Sequence, residues 1–133
     1  MNVLVDTSVW SLALRRRGQS APSPLVALLA DVIADGRAVL LGPVRQELLS
    51  GVRSSEQFEH LREHLRAFPN VELNTEDYET AASCSNLCRA RGVQGSSVDF
   101  LICAVAIRRD WSVLTTDKDF GHFARILALK LGS

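Results

Sequence analysis

Four carboxylates stand where elements of the chain are expected to begin or end. The set is Asp6, Glu47, Asp99 and Asp117, with Asp119 as a fifth acid close behind the last. Asp6 directly follows the apolar run Val3-Leu4-Val5, and a carboxylate that ends a buried strand needs a partner. Where such acids share one site, their charges repel and their pKa values rise unless a cation lies between them. An all-oxygen cluster suits Mg²⁺ or Mn²⁺ rather than zinc.

Each of the later acids also has a simpler structural interpretation. Asp99 and Ser96 have the spacing of a helix capping box, and for Asp99 taken alone this is the favoured reading. Glu47 suits a solvated helix or the N-terminal end of a helix dipole. Asp117 and Asp119 are typical turn residues. The case for a shared site therefore rests on the set and not on any one member.

Carboxylate-bound Mg²⁺ is suited to phosphoryl chemistry. One ion activates a water, and a second, roughly 4 Å away, stabilises the leaving oxygen of an in-line displacement. Small hydroxyls stand beside the acids, at Thr7, Ser8, Thr115 and Thr116. They are expected either to hold the carboxylates and metal-bound waters in place or to bond the backbone at strand ends.

Other catalytic classes lack their residues. His122 is the only histidine beside an acid of the set, and no Gly-x-Ser-x-Gly turn exists, which disfavours a Ser-His-Asp hydrolase. A glycine-rich phosphate loop is also absent. The cysteines, Cys84, Cys88 and Cys103, are too few for a disulfide framework or a thiol metal site. We expect them to be buried hydrophobes in a reducing compartment.

The elements that must position the acids alternate between strand and helix. Strands are predicted at 3–5, 38–41, 71–73 and 113–116, with a peripheral fifth at 126–131. Helices are predicted at 11–18, 25–34, 44–51, 55–65, 76–91 and 96–107. This pattern predicts one α/β domain over residues 1–133, with a mainly parallel four- to five-stranded sheet covered on both faces. Right-handed crossovers then bring the carboxyl ends of the strands, and the acids that follow them, to one edge.

The bulk composition is that of an ordinary soluble protein. The chain has 133 residues, 47% of them hydrophobic, and 15 basic against 15 acidic residues. No apolar run reaches membrane-span length and no export signal is seen, so we expect a cytoplasmic protein without a membrane partner. The basic residues near the motifs, Arg15 to Arg17, Arg45, Arg53 and Lys118, are candidates for phosphate contacts, although solvated surface charge is the simpler reading of each.

Four motifs occur in order and span almost the whole chain. They are DTSVW at 6–10, QELLSG at 46–51, DFLICAVA at 99–106 and TTDKDF at 115–120. The ordered set resembles the acidic motifs of PIN-domain ribonucleases, in particular the VapC-type toxins of bacterial and archaeal toxin–antitoxin pairs. Cys103 stands where that family usually has a smaller or plainer residue, which we interpret as a packing variation.

The resemblance implies an α/β/α sandwich and a Mg²⁺-dependent endoribonuclease, with Mn²⁺ able to substitute. On matching positions, the catalytic and metal-binding acids are Asp6, Glu47, Asp99 and Asp117. Asp119 matches an accessory acid, and Thr115 matches a hydroxyl near the site. The resemblance also implies an antitoxin that blocks the site, a toxin–antitoxin hetero-oligomer, and commonly a homodimer.

Two other functions stay open on the residues alone. The first is another Mg²⁺-dependent phosphotransfer protein or phosphatase. Against it, the haloacid-dehalogenase type needs an acid where this chain has Ser8, and a phospho-receiver lacks a convincing lysine near the last strand. The second is a non-catalytic RNA- or protein-binding module whose acids are structural. The presence of all four acids argues against such a degenerate site.

Overall fold

A parallel sheet lies at the centre of the fold. The computed structural model describes residues 1–15 and 23–132, and for Arg15 the backbone alone. Within these ranges the strands are β1 (Val3–Val5), β2 (Ala38–Val39), β3 (Ser112–Leu114) and β4 (Lys130–Leu131), in the order β2-β1-β3-β4. Val3 pairs with Ala38 on one side and with Ser112 on the other, and every pairing between these strands is parallel. The predicted α/β fold with a mainly parallel sheet is confirmed.

Helices make up most of the remaining described chain. Their bounds are α1 (Thr7–Arg15), α2 (Pro24–Ala34), α3 (Gly42–Ser50), α4 (Ser55–Leu65), α5 (Thr75–Ala90), α6 (Ser97–Arg109) and α7 (Asp119–Ala124). Side-chain caps fix several of the starts: Ser54 accepts the Gln57 amide before α4, and Asn74 accepts the Asp77 amide before α5. No helix in the described ranges is long and apolar enough to cross a membrane.

Both faces of the sheet are covered. Successive strand residues point to opposite faces, yet Val3, Leu4 and Val5 are each at most 2% exposed. Helix α6 is buried continuously from Phe100 to Ala106, which places it in the core between the sheet and α5. Cys84, Cys88 and Cys103 are free and buried, as predicted. Helix α6 is therefore a rigid mount for any residue at its start.

Four of the five predicted strands differ from the structure, and the differences are largest at 71–73 and 126–131. Residues 71–73 do not form a strand; a single parallel bridge joins Leu40 to Asn70, and the Val71 amide donates to the Leu40 carbonyl at 3.0 Å. The chain then leaves the edge of the sheet, because Asn74 caps α5. In the predicted tail strand 126–131, pairing is limited to β4 at the edge beside β3.

Two helices and the end of the second strand also differ from the prediction. Helix α1 begins at Thr7, directly after the first acid, and its predicted end at residue 18 lies outside the described residues. Helix α7 was not predicted from the sequence, although Phe120 and Phe123, both fully buried, have helical spacing. The second strand ends at Val39 because Leu41 is already the N-cap of α3.

A buried ion cluster fixes α5 against α6. Asp77 is fully buried, and its two carboxylate oxygens accept from the two Nη atoms of Arg109 at 2.9 and 3.0 Å. Arg108 donates to the same carboxylate, and Arg109 also donates to the Glu72 carbonyl at 3.1 Å. These bonds, first among them that from Arg109, hold the pKa of Asp77 well below its usual value despite the burial.

Candidate active site

Asp6 lies at the meeting point of the two central strands. Its amide donates to the Leu114 carbonyl at 3.0 Å, which continues the β1–β3 ladder to the residue that opens the turn into α1. The residue is 7% exposed. Its carboxylate oxygen Oδ2 accepts from Ser8 Oγ at 2.8 Å and from Thr115 Oγ1 at 2.9 Å. The other oxygen, Oδ1, accepts no hydrogen bond from residues 1–15 or 23–132, so one oxygen is held and one is open.

The hydroxyls that hold Asp6 are themselves tied to the loop after β3. Ser8 Oγ accepts the Thr116 amide at 3.1 Å, and Thr115 Oγ1 accepts the Asp117 amide at 2.9 Å. Asp117 Oδ1 in turn accepts the Asp119 amide at 2.9 Å, at the start of α7. The network joins the first and fourth motifs and fixes the position of Asp117 relative to Asp6.

Asp99 is both a helix cap and a neighbour of the other acids. Its Oδ2 accepts the Ser96 amide at 3.0 Å, and its own amide donates to Ser96 Oγ at 3.1 Å, which completes the expected capping box. Burial raises the pKa of Asp99, the Ser96 hydrogen bonds oppose that rise, and the charges of Asp6 and Asp117 add to it. The cap uses one carboxylate oxygen and leaves Oδ1 for another partner.

Glu47 reaches the cluster from α3. Partial desolvation raises the pKa of its carboxyl although most of the residue is exposed, and the charges of Asp6 and Asp99 raise it further. The Thr7 hydroxyl partly offsets the rise. The structure thus brings Glu47 within electrostatic range of Asp6 and Asp99, which belong to two other parts of the chain.

Mutual repulsion without a basic partner characterises the cluster. None of the ion pairs within the described ranges involves Asp6, Glu47, Asp99 or Asp117. In the same ranges, no three His, Cys, Asp or Glu side chains converge closely enough to hold a metal ion as they stand. The donors are all carboxylate oxygens, and Asp6 and Asp99 each present an open one. This chemistry fits a hard divalent cation, whose charge relieves the repulsion between the acids.

The PIN-domain family model matches residues 3–126 of the chain. The chain belongs to the PIN-domain family. It is 30% identical over 133 residues to ribonuclease VapC11 of Mycobacterium tuberculosis, a match that covers 98% of this chain and 98% of that protein. PIN-domain ribonucleases generally depend on a divalent metal ion.

Solved structures share the fold of this PIN domain. A chain of VapBC2 from Rickettsia felis, crystallised with a DNA fragment from their promoter, superposes with a TM-score of 0.79 at 18% identity, over 99% of this chain and 98% of that one. A chain of VapBC-5 from Mycobacterium tuberculosis, a member of the VapBC family of toxin–antitoxin systems, gives a TM-score of 0.71 at 19% identity, over 98% of each chain. Both likenesses confirm the predicted PIN-like fold.

The basic residues that are candidates for phosphate contacts differ in whether their donors are used within the fold. Arg45 is committed to the structure: it donates to Asn70 Oδ1 at 2.8 Å, to the Leu65 carbonyl at 3.0 Å and to the Phe68 carbonyl, all near the end of α4. Arg53 and Lys118 are exposed, and the side chains of Arg15, Arg16 and Arg17 lie outside the described part. Of the three candidates whose side chains the structure describes, Arg45 is therefore the one whose donors are already used.

Gly95 is a supporting position that sequence reasoning missed. A Cβ at Gly95 would lie 2.6 Å from Phe123 Cζ and 3.1 Å from Phe100 Cε2. The absence of a side chain lets the start of α6, with Asp99, approach α7. One sequence carries no signal for this contact, because it depends on a phenylalanine from a helix that the sequence did not predict.

Proposed function

We propose that this PIN domain is a Mg²⁺-dependent endoribonuclease toxin of a toxin–antitoxin pair, with Mn²⁺ able to substitute. The observation that carries the proposal is the electrostatic proximity of Asp6, Glu47, Asp99 and Asp117, which come from four parts of the chain and have no basic ion-pair partner within residues 1–15 and 23–132. The full-length similarity to a protein named as a ribonuclease supports RNA as the substrate.

The four acids hold the metal in this proposal. Asp6 and Asp99 present their open oxygens, while their second oxygens are fixed by hydrogen bonds within the fold. Glu47 and Asp117 complete an all-oxygen donor set of the kind that Mg²⁺ prefers. When bound, the ion supplies the Lewis acidity that activates a water and stabilises charge on the scissile phosphate.

The hydroxyls keep the Asp6 carboxylate oriented. Ser8 and Thr115 donate to the same carboxylate oxygen, Oδ2. Donors of this kind restrict a metal ligand to one rotamer. Asp119 is exposed and contributes its amide to the network, so we assign its carboxylate an accessory role beside the RNA.

The partners in this proposal are RNA and a cognate antitoxin that covers the acids. The structural similarity to chains of VapBC complexes supports the antitoxin. We further propose that the protein forms a homodimer and a hetero-oligomer with the antitoxin, and that it acts in the cytoplasm, where its substrate is found. The family resemblance of the motifs supports these assignments.

The proposal is tested by cleavage of end-labelled RNA by the purified protein. Asp6→Asn and Asp99→Asn remove a ligand charge with little change in shape, and each is expected to reduce cleavage beyond the about 10–100-fold that loss of a supporting residue causes. Asp31→Asn, an exposed acid on α2, is the matched control and is expected to behave as wild type. Wild-type cleavage by both site variants would contradict the proposal. Hydrolysis of a simple phosphomonoester without RNA cleavage would favour the phosphatase alternative.

A further inference from the structure

Thr7 differs from the other hydroxyls beside the acids. Ser8 and Thr115 each donate to Asp6. The Oγ1 atom of Thr7 is buried and makes no hydrogen bond of normal geometry in the described structure. A buried hydroxyl without a partner loses the hydrogen bonds that it makes to water, so such an atom calls for an explanation.

The helix that packs against the start of α1 carries an acid of the cluster, Glu47. Thr7 is the first residue of α1, directly after Asp6, and α1 packs against α3, which carries Glu47. The Thr7 hydroxyl lowers the pKa of the Glu47 carboxyl and so opposes the rise that desolvation causes. Glu47 is exposed and has a long, flexible side chain, whereas the carboxylate of Asp6 is already fixed by two donors.

We propose that Thr7 is the positioning residue of Glu47: its hydroxyl donates to the Glu47 carboxylate when that side chain turns toward Asp6 to complete the metal site. The inference rests on the proposed function, since it assigns Thr7 a part in building that site. The hydrogen bond gives the buried hydroxyl its missing partner and restricts the one flexible acid of the cluster. A site whose ligands are held in place before the ion binds has a higher affinity for it.

The test is a calorimetric titration of the metal-free protein with Mn²⁺ in the absence of RNA. Thr7→Val keeps the shape and removes the hydroxyl, and it is expected to raise the Kd for Mn²⁺ about 10-fold. Thr7→Ser keeps the donor and is expected to stay near wild type. Ser112→Ala is the matched control, because Ser112 Oγ is also buried without a partner but lies at the opposite end of β3 from the acids.

A double-mutant cycle separates positioning from a general loss of structure. In the Glu47→Ala background, Thr7→Val is expected to cause no further loss of Mn²⁺ affinity, because the oxygen that accepts from the hydroxyl is gone. Where Thr7→Val does not fold, Thr7→Ala and Thr7→Ser give the same comparison.

Three outcomes would overturn the inference. Unchanged Mn²⁺ affinity of Thr7→Val, with wild type binding Mn²⁺, would overturn the role of Thr7 alone. An equal loss in the wild-type and Glu47→Ala backgrounds would show that Thr7 does not act through Glu47. Failure of the wild-type protein to bind Mn²⁺ would overturn both this inference and the metal site of the proposed function, and that titration is made first.

Discussion

Thr115 donates a hydrogen bond to Asp6 at 2.9 Å across a separation of 109 residues. The same oxygen of Thr115 accepts the Asp117 amide, also at 2.9 Å. Strands β1 and β3 are neighbours at the centre of the sheet. The Thr115 hydroxyl therefore joins the residue that follows β3 to the carboxylate that follows β1. The register of the sheet and the Thr115 hydroxyl, together with the Ser8 hydroxyl that accepts the Thr116 amide, thus set the position of Asp6 relative to Asp117.

The first prediction concerns that hydroxyl. Thr115→Val keeps the volume but removes both the donor to Asp6 and the acceptor for the Asp117 amide, so we expect RNA cleavage to fall about 10–100-fold. Thr115→Ser keeps the hydroxyl and is expected to retain most of the activity. The measurement is kcat/KM on a short labelled RNA, with circular dichroism to show that both variants are folded. Equal activity of the valine and serine variants would show that the hydroxyl has no part in the site.

The second prediction concerns the metal. EDTA is expected to abolish cleavage, and excess Mg²⁺ or Mn²⁺ is expected to restore it, because all the donors of the cluster are carboxylates. An ion that binds only the folded state stabilises it by about 2.7 kcal/mol at 100 times its Kd. Mn²⁺ should therefore raise the Tm of the wild-type protein by several degrees and leave the Tm of Asp6→Asn nearly unchanged. An equal rise in both proteins would place the bound ion elsewhere.

The positions of the acids could be predicted because they follow strong local signals. Val3, Leu4 and Val5 are a short apolar run, and Asp99 opens a continuously apolar helix with Ser96 as its cap. Local patterns of this kind fix which residues are buried and where an element starts. Parallel connection of the strands then brings the acids to one edge without further information.

The partners of the hydroxyls and of Arg45 could not be predicted in the same way. Thr7 and Ser8 are adjacent in sequence, yet their hydroxyls differ. Ser8 donates a hydrogen bond to Asp6, whereas the Thr7 hydroxyl has no hydrogen-bond partner in the described structure. The packing of α1 against α3 sets this difference. Arg45 donates hydrogen bonds to the Leu65 and Phe68 carbonyls at the end of α4, which is distant in sequence. Residues 71–73 have the composition of a strand but do not form one. Asn74 is already the N-cap of α5, so the chain turns into that helix at the edge of the sheet.

The third prediction concerns the buried carboxylate that fixes α5 to α6. Asp77→Asn removes the charge that Arg108 and Arg109 share, and loss of one partner of a buried ion pair costs about 3–5 kcal/mol. The pKa of Asp77 is lowered in the folded state, so its stabilisation is complete above the ordinary aspartate pKa and declines as the pH falls below it. The stability difference between wild type and variant should therefore be constant from pH 5 to pH 7 and shrink in stronger acid.

Urea unfolding at several pH values measures this difference. Glu79→Gln is a suitable control, since it removes an exposed carboxylate from the same helix and is expected to change stability by less than about 0.5 kcal/mol. A difference between wild type and Asp77→Asn that grows toward low pH would contradict the assigned direction of the shift.

The fourth prediction concerns the close approach at Gly95. Gly95→Ala places a Cβ 2.6 Å from Phe123 Cζ and 3.1 Å from Phe100, both in a packed region, and we expect a loss of about 1–3 kcal/mol of stability. Gly51→Ala is the control, because no atom lies within 4 Å of its Cβ position and its φ of −85° suits any residue. Phe123→Leu removes the ring atom in the way and should restore part of the stability when combined with Gly95→Ala, although it is destabilising alone. Additive losses in the double variant, measured by thermal unfolding, would show that the glycine is not required by this contact.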